Sequence, residues 1–168
     1  MKKVFLSLGS NIGNKKNSLA RSIRYINVAI GHIIDLSGIY ETEPWGFESK
    51  DSFLNLVVEI ITDLTPAEVL QKCHDIEEKL GRTRSNEKGY ASRVIDIDIL
   101  LYEKEVITEP GLIIPHPLLH ERNFVLEPLC EIAGDIVHPV LGETIKSLHA
   151  NCTDKSTVSQ LGSMMFDS

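Results

Sequence analysis

The segment VIDIDILLY, residues 94 to 102, constrains the fold more than any other part of the chain. Its apolar residues alternate with Asp96 and Asp98, a period of two that a β-strand sorts onto opposite faces and an α-helix does not. A chain carrying it must build a sheet with one side buried and the other able to accept carboxylates. On such a strand Ile95, Ile97, Ile99 and Leu101 point into a helical layer. The two aspartates then share the other face, with Cα atoms roughly 6.5–7 Å apart.

The surrounding segments say how that layer is made. KVFLSL, residues 3 to 8, reads as a strand running into the turn GSNIGN. Asn14 or Asn17 caps a helix in which Leu19, Ile23, Ile26 and Ile30 recur at helical spacing. Residues 32 to 43 read as a second strand and FLNLVVEII as a third, with the loop EPWGFESKD between them. Thr65 and Pro66 start a second helix, whose apolar stripe is Val69, Leu70, Cys73, Ile76 and Leu80 and whose stop is Gly81. A polar, basic loop from Arg82 to Ser92 leads into the aspartate strand. After it, YEKEV reads as a hairpin turn, GLIIPHP leads to a helix near NFVLEPLCEIAG, and a last helix spans Glu143 to His149.

The order β-α-β-β-α-β predicts an α+β, ferredoxin-like βαββαβ core: an antiparallel sheet with two helices on one face, extended by a C-terminal hairpin and helices. At 168 residues and 42% hydrophobic content the chain suits one well-covered core, assigned to residues 1–150. Residues 151–168 are polar and are expected to form a poorly ordered tail.

Charge and cysteines narrow the function. A net charge of −7 argues against tracking a nucleic-acid backbone, which relies on Lys and Arg. The RNA-binding module that shares this element order also needs a basic-aromatic strand motif, and none is present. Cys73, Cys130 and Cys152 form no CxxC pair, so neither a disulfide framework nor a zinc site is indicated and a cytoplasmic setting fits. The N-terminal apolar run is too short for a signal-peptide core, and no stretch reaches membrane-spanning length.

Two carboxylates on one side of a strand repel each other unless a cation lies between them, and hard oxygen ligands of this kind suit Mg²⁺. Two such ions, about 3.5–4 Å apart, are a recurring device in phosphoryl chemistry. A half-exposed strand with its polar side in water is the plain alternative. Against it stands the upstream segment, where Lys79, Arg82, Arg84, Lys88 and Arg93 gather in an otherwise acidic chain, as neutralising a polyphosphate requires. GSNIGNKKN fails as a Walker A loop because Asn14 stands where the second glycine belongs. His116 and His120 lack the intervening glutamate and third ligand of a zinc site, so a contact from His116 to phosphate or ribose is the better reading. These features alone are also met by other magnesium-dependent nucleotidyl or phosphoryl transferases and by an inactive nucleotide sensor.

LGSNIGN, SGIYETEPWGF, FLNLVVEI, GRTR, SRVIDIDILLY and IPHPLLHERNFVLEPLCEIA occur together and in this order over about residues 3 to 150. In this the sequence resembles the 6-hydroxymethyl-7,8-dihydropterin pyrophosphokinase family of folate biosynthesis. The resemblance implies transfer of the β,γ-diphosphate of ATP to the hydroxymethyl group of a reduced pterin, with two Mg²⁺ ions held by Asp96 and Asp98 and AMP as the other product. It implies a pterin pocket of Thr42, Pro44, Trp45, Phe53, Asn55 and Phe124, with Phe53 and Phe124 sandwiching the ring. It implies nucleotide contacts from His74, Glu77, Arg84, Arg93, Ile99, His116 and Arg122, and a catalytic set of Arg82, Arg84, Arg93, Asp96 and Asp98. The partners expected are therefore ATP and the reduced pterin, with no nucleic acid and no membrane, and the chain is expected to be a monomer. Departures from relatives are Phe53 for a tyrosine, His74 for a glutamine, Tyr90 near the place of a tryptophan, and Gly111, Ile113 and Pro117, which cannot supply the side-chain contacts found there.

Overall fold

The computed structural model describes residues 1–42, 52–81 and 94–164. Strand β1 (Lys2–Ser10) leads to helix α1 (Lys15–Ala29), followed by β2 (His32–Leu36), β3 (Gly38–Thr42), β4 (Phe53–Thr62), helix α2 (Pro66–Lys79) and β5 (Asp96–Tyr102). The caps show why the helices start where they do. Asn14, rather than Asn17, is the first cap, its Oδ1 accepting the Asn17 N–H at 3.1 Å. Thr65 and Glu68 form a reciprocal capping box with Pro66 behind it, and Gly81 takes a φ of 96° just past the end of α2.

The sheet order is β5-β1-β4-β3-β8, where β8 is the strand Val158–Ser163 near the end of the chain; all pairs are antiparallel, with β2 also pairing to β4. This is the ferredoxin-like arrangement, with the aspartate strand at one edge. The expected strand at 32 to 43 is divided at Ser37, and the register shifts between Ile33 and Asp35.

The core has two layers of side chains rather than one. Val4, Leu6 and Leu8 of β1, Leu54, Leu56, Val58 and Ile60 of β4, and Ile95, Ile97 and Ile99 pack against α1 and α2. The second face carries helices α3 (Asn123–Ala133) and α4 (Ile145–Ala150), which bury Phe5, Val57, Leu100 and Leu101. Leu101 is therefore on the opposite face from the one its alternation predicts. The register of β5 against β1 shifts between Phe5 and Leu6, which pair with Leu101 and Ile99, so Leu100 is an extra residue that inverts the alternation beyond it. With apolar layers on both sides, ILLY reads as a continuous apolar run.

The expected turn after β5 is followed by a hairpin of β6 (Ile107–Glu109) and β7 (Leu112–Ile114). The chain then passes through a cis Ile114–Pro115 bond and a 3-10 turn, Leu119–Glu121, into α3. The last helix starts two residues later than expected because Thr144 is its cap, accepting from Ser147 N–H at 3.1 Å. Beyond it the expectation of a poorly ordered tail fails for β8 (Val158–Ser163), which pairs with β3 from Thr42–Val158 to Gly38–Ser163. Its residues are almost all exposed, so no apolar alternation marks it in the sequence. The three cysteines are unpaired thiols, with Cys73 and Cys152 in the core.

Candidate active site

The antiparallel register places the candidate residues before any side chain is considered. Asp96 of β5 pairs with Gly9 of β1, Gly9 with Asn55 of β4, and Asn55 with Tyr40 of β3. One row thus crosses four strands, and paired positions point to the same face. The flanking rows place Asp98 beside Ser7, and Phe53 beside Thr42. Both aspartates, Phe53, Asn55 and Thr42 therefore share the face that carries α3. Neighbouring strands lie about 4.8 Å apart, which puts Asp96 and Asn55 about 10 Å from each other across Gly9.

Gly9, which the sequence pattern assigns to a turn after residue 8, lies inside β1. A Cβ there would lie 2.9 Å from Asn55 Oδ1 and 3.8 Å from Phe53 Cδ1. The bare backbone keeps the floor between the carboxylates and the Asn55 end open. Glycine at the end of an apolar alternation was the available signal, since in a strand it marks close approach. Asn55 itself is 4% exposed, and its Nδ2 donates to Thr42 Oγ1 at 2.9 Å, which fixes the amide orientation.

On the outer edge of β5 a cavity of about 350 Å³ opens between α2 and the segment leading to α3. Its lining includes Asp96, Asp98 and Ile99 from the strand, His74 and Glu77 from α2, and His116 and Arg122 from the opposite wall. Every nucleotide-contact candidate within the described residues thus meets the carboxylate pair in one cavity. Glu77 is buried in helix α2, and its Oε2 accepts the Ile97 N–H at 2.9 Å. That bond satisfies an edge-strand donor between Asp96 and Asp98 and fixes the strand beneath them.

His116 is held over the edge by its own N–H, which donates to Leu100 O at 3.0 Å. Its Nδ1 accepts from Leu118 N–H at 3.1 Å, so in the neutral ring the proton sits on Nε2. Burial lowers the imidazole's proton affinity, with the charge of Asp96 opposing, which keeps the ring neutral near pH 7. Arg122 is 5% exposed, with its guanidinium 5.6 Å from the Phe124 ring centroid. Burial lowers its pKa to about 10, which still leaves it a cation at neutral pH. Arg122 lines the edge cavity, so this contact ties the cavity wall to Phe124 on the first turn of α3.

A buried cation, a neutral imidazole donor and two half-buried carboxylates around one cavity suit a polyanionic ligand, and the Asn55–Thr42 end suits a flat polar heterocycle. Among the described residues no group of three or more His, Cys, Asp or Glu is placed to hold a metal, so Asp96 and Asp98 stand as a pair.

Residues 5–134 match the model of the 7,8-dihydro-6-hydroxymethylpterin-pyrophosphokinase (HPPK) family. The chain belongs to this family. As an HPPK it is a pyrophosphokinase of folate biosynthesis. It is 44% identical over 147 residues to the 2-amino-4-hydroxy-6-hydroxymethyldihydropteridine pyrophosphokinase of Methylorubrum extorquens, covering 87% of this chain and 90% of that one. To the protein of the same name from Aquifex aeolicus it is 38% identical over 155 residues, covering 92% and 95%. Among solved structures it is similar to the wild-type HPPK-DHPS of Plasmodium falciparum, with a TM-score of 0.73 at 18% identity. The chain spans 44% of that longer protein and is itself covered to 89%, so the likeness concerns the fold. Of the residues expected in the HPPK site, Pro44, Trp45, Arg82, Arg84 and Arg93 lie outside the described residues, as does Tyr90.

Proposed function

We propose that this site transfers the β,γ-diphosphate of ATP to the hydroxymethyl group of 6-hydroxymethyl-7,8-dihydropterin, releasing AMP. The observation that carries the reading is the row Asp96–Gly9–Asn55, which sets a flat-ring pocket and a carboxylate pair on one face about 10 Å apart. That span matches the distance from the polar edge of a bicyclic ring to a hydroxyl on its far side. Phe53 and Phe124 stack on the pterin, and Asn55, oriented by Thr42, hydrogen-bonds its polar edge together with backbone near Pro44 and Trp45.

The nucleotide lies in the edge cavity. Arg122 faces the polyphosphate as a fixed cation, His116 donates from Nε2, and His74, Glu77 and Ile99 line the wall beneath. The carboxylates of Asp96 and Asp98, hard, half-exposed and on one face, fit Mg²⁺ and would hold two ions. Bound magnesium supplies charge neutralisation of the polyphosphate and polarisation of its oxygens. The substrate hydroxyl is oriented for in-line attack on the β-phosphorus, and Arg82, Arg84 and Arg93 from the basic segment balance charge moving to the leaving group. Catalysis then rests on positioning and electrostatics. We read the enzyme as cytoplasmic and monomeric, with ATP and the reduced pterin as its partners. No helix among the described residues is long and apolar enough to cross a membrane.

Product analysis is the test. AMP and a diphosphorylated pterin, formed only with a divalent cation present, are expected; release of ADP or inorganic pyrophosphate would overturn the reading.

A further inference from the structure

The first turn of α3 carries two site residues, Arg122 and Phe124; the Arg122 carbonyl accepts from Val125 and Leu126 N–H, but two other restraints of a regular helix start are missing. Arg122 occupies the N-cap position without a side-chain capping bond. Pro128 lies inside the helix, so it lacks the N–H that would bond the Phe124 carbonyl four residues back. The restraint comes from a segment 31 residues downstream. Asp154 Oδ2 accepts the N–H of Asn123, the residue between Arg122 and Phe124, at 2.9 Å. Asn123 Nδ2 in turn donates to Ser156 O at 3.4 Å.

Asp154 is itself fixed. Its Oδ1 accepts from Ser156 N–H at 2.9 Å and from the Ser156 hydroxyl. Burial alone would raise its pKa, but those bonds and the Asn123 N–H together hold the carboxyl below its ordinary range, so it is an anion at the amino end of α3. Two residues after Ser156 the chain enters β8, where Val158 pairs with Thr42, the acceptor of the Asn55 amide. Residues 154–158 therefore bridge the two sides of the pterin pocket.

We infer that Asp154 is a positioning residue for the pterin pocket, clasping the first turn of α3 so that Phe124 and Arg122 stand at a fixed place opposite the Thr42–Asn55 wall. This rests on the reading of Phe124 as a stacking residue, and the experiment separates the two. In the full chain, pterin affinity is measured by titration with a non-hydrolysable ATP analogue and Mg²⁺ present, for Asp154→Ala, Asp154→Asn, Phe124→Ala and the double variant Phe124→Ala/Asp154→Ala. The loss of a cap predicts a pterin affinity about fivefold weaker for Asp154→Ala, and about twofold weaker for Asp154→Asn, which keeps one acceptor. In the Phe124→Ala background, removing Asp154 should have no further effect on pterin affinity, because the clasp acts through that ring. Wild-type affinity in both Asp154 variants, or effects that multiply in the double variant, would overturn the clasp. If Asp154→Ala does not fold, Asp154→Asn decides alone, and unchanged affinity in it overturns the inference. Should Phe124→Ala by itself bind pterin normally, the stacking reading falls and takes the clasp with it.

Discussion

The two faces of the sheet share the same strands and do opposite work. Against α1 and α2, positions such as Leu8, Leu56 and Ile97 are fully or almost fully buried. On the other face α3 and α4 pack on the part built from Phe5, Val57, Leu100 and Leu101, and farther along the same face the positions become Asp98, Ser7, Asp96, Gly9 and Asn55. The closed face supplies stability through burial. The other face gives part of its area to polar groups and a glycine, and the site lies where its apolar positions give way to them.

Substitutions on the two faces should therefore separate activity from stability. The largest effect is expected for Asp96→Ala and Asp98→Ala. Each should lower turnover about a thousandfold in an AMP-release assay, while the melting temperature stays within about 3 °C of the parent, since a half-exposed carboxylate is removed without a cavity. On the closed face Leu56→Ala should cost about 3 kcal/mol in denaturant unfolding, with turnover per folded molecule nearly unchanged. If Leu56→Ala abolished turnover in folded protein, or if the aspartate variants unfolded, the division between faces would be wrong.

Gly9→Ala probes the boundary itself. The added Cβ meets Asn55 Oδ1 at 2.9 Å, so the amide must leave Thr42 or the strand must shift. The KM for pterin should rise about tenfold with the KM for ATP within about twofold, a change worth one lost charge-free hydrogen bond. An equal rise in both constants would mean that the two halves of the site are not separable.

The smallest effect concerns pH. His116 has its proton affinity lowered by burial, so the unfolded chain binds a proton that the folded chain refuses. Stability should fall as pH drops below about 6.5, the ordinary histidine value. His138 is shifted in the same direction, by burial and then by His120, and adds to the slope. His116→Gln should make the slope shallower without removing it, as read by melting temperature between pH 7 and pH 5.5. An unchanged slope would indicate that the imidazole is hydrated rather than enclosed.

Much of this was legible from residue pattern, because pattern reports which side of an element is buried. The split of Ile97 from Asp96 and Asp98, the Thr65–Pro66 start and the βαββαβ order all follow from local periodicity and caps. What escaped depends on contacts between distant segments. Leu101 was misplaced because a single added residue in β5 answers to β1, which periodicity within β5 cannot sense. Val158–Ser163 carries no strand signal because an exposed edge strand buries almost nothing. Gly9 looks like a turn residue in isolation because its value lies in what Asn55 needs, two strands' width from Asp96. His116 stands out by its own Pro-rich turn, but its meeting with His74 and Glu77 follows only from the family resemblance, since α2 and the stretch leading to α3 share no local spacing.

The extra residue at Leu100 makes the reading frame of β5 matter as much as its composition. Upstream of it, odd-numbered residues are greasy and even-numbered ones are acidic; downstream, the parity is exchanged so that Leu101 and Tyr102 still find apolar company. Deleting one leucine would preserve every chemical group the site uses. If the strand kept its hold at Tyr102, it would pair with β1 residue for residue and both acids would stay where they are; the loss would fall on the oily layer beneath α3 and α4, which the bulged leucine helps to fill.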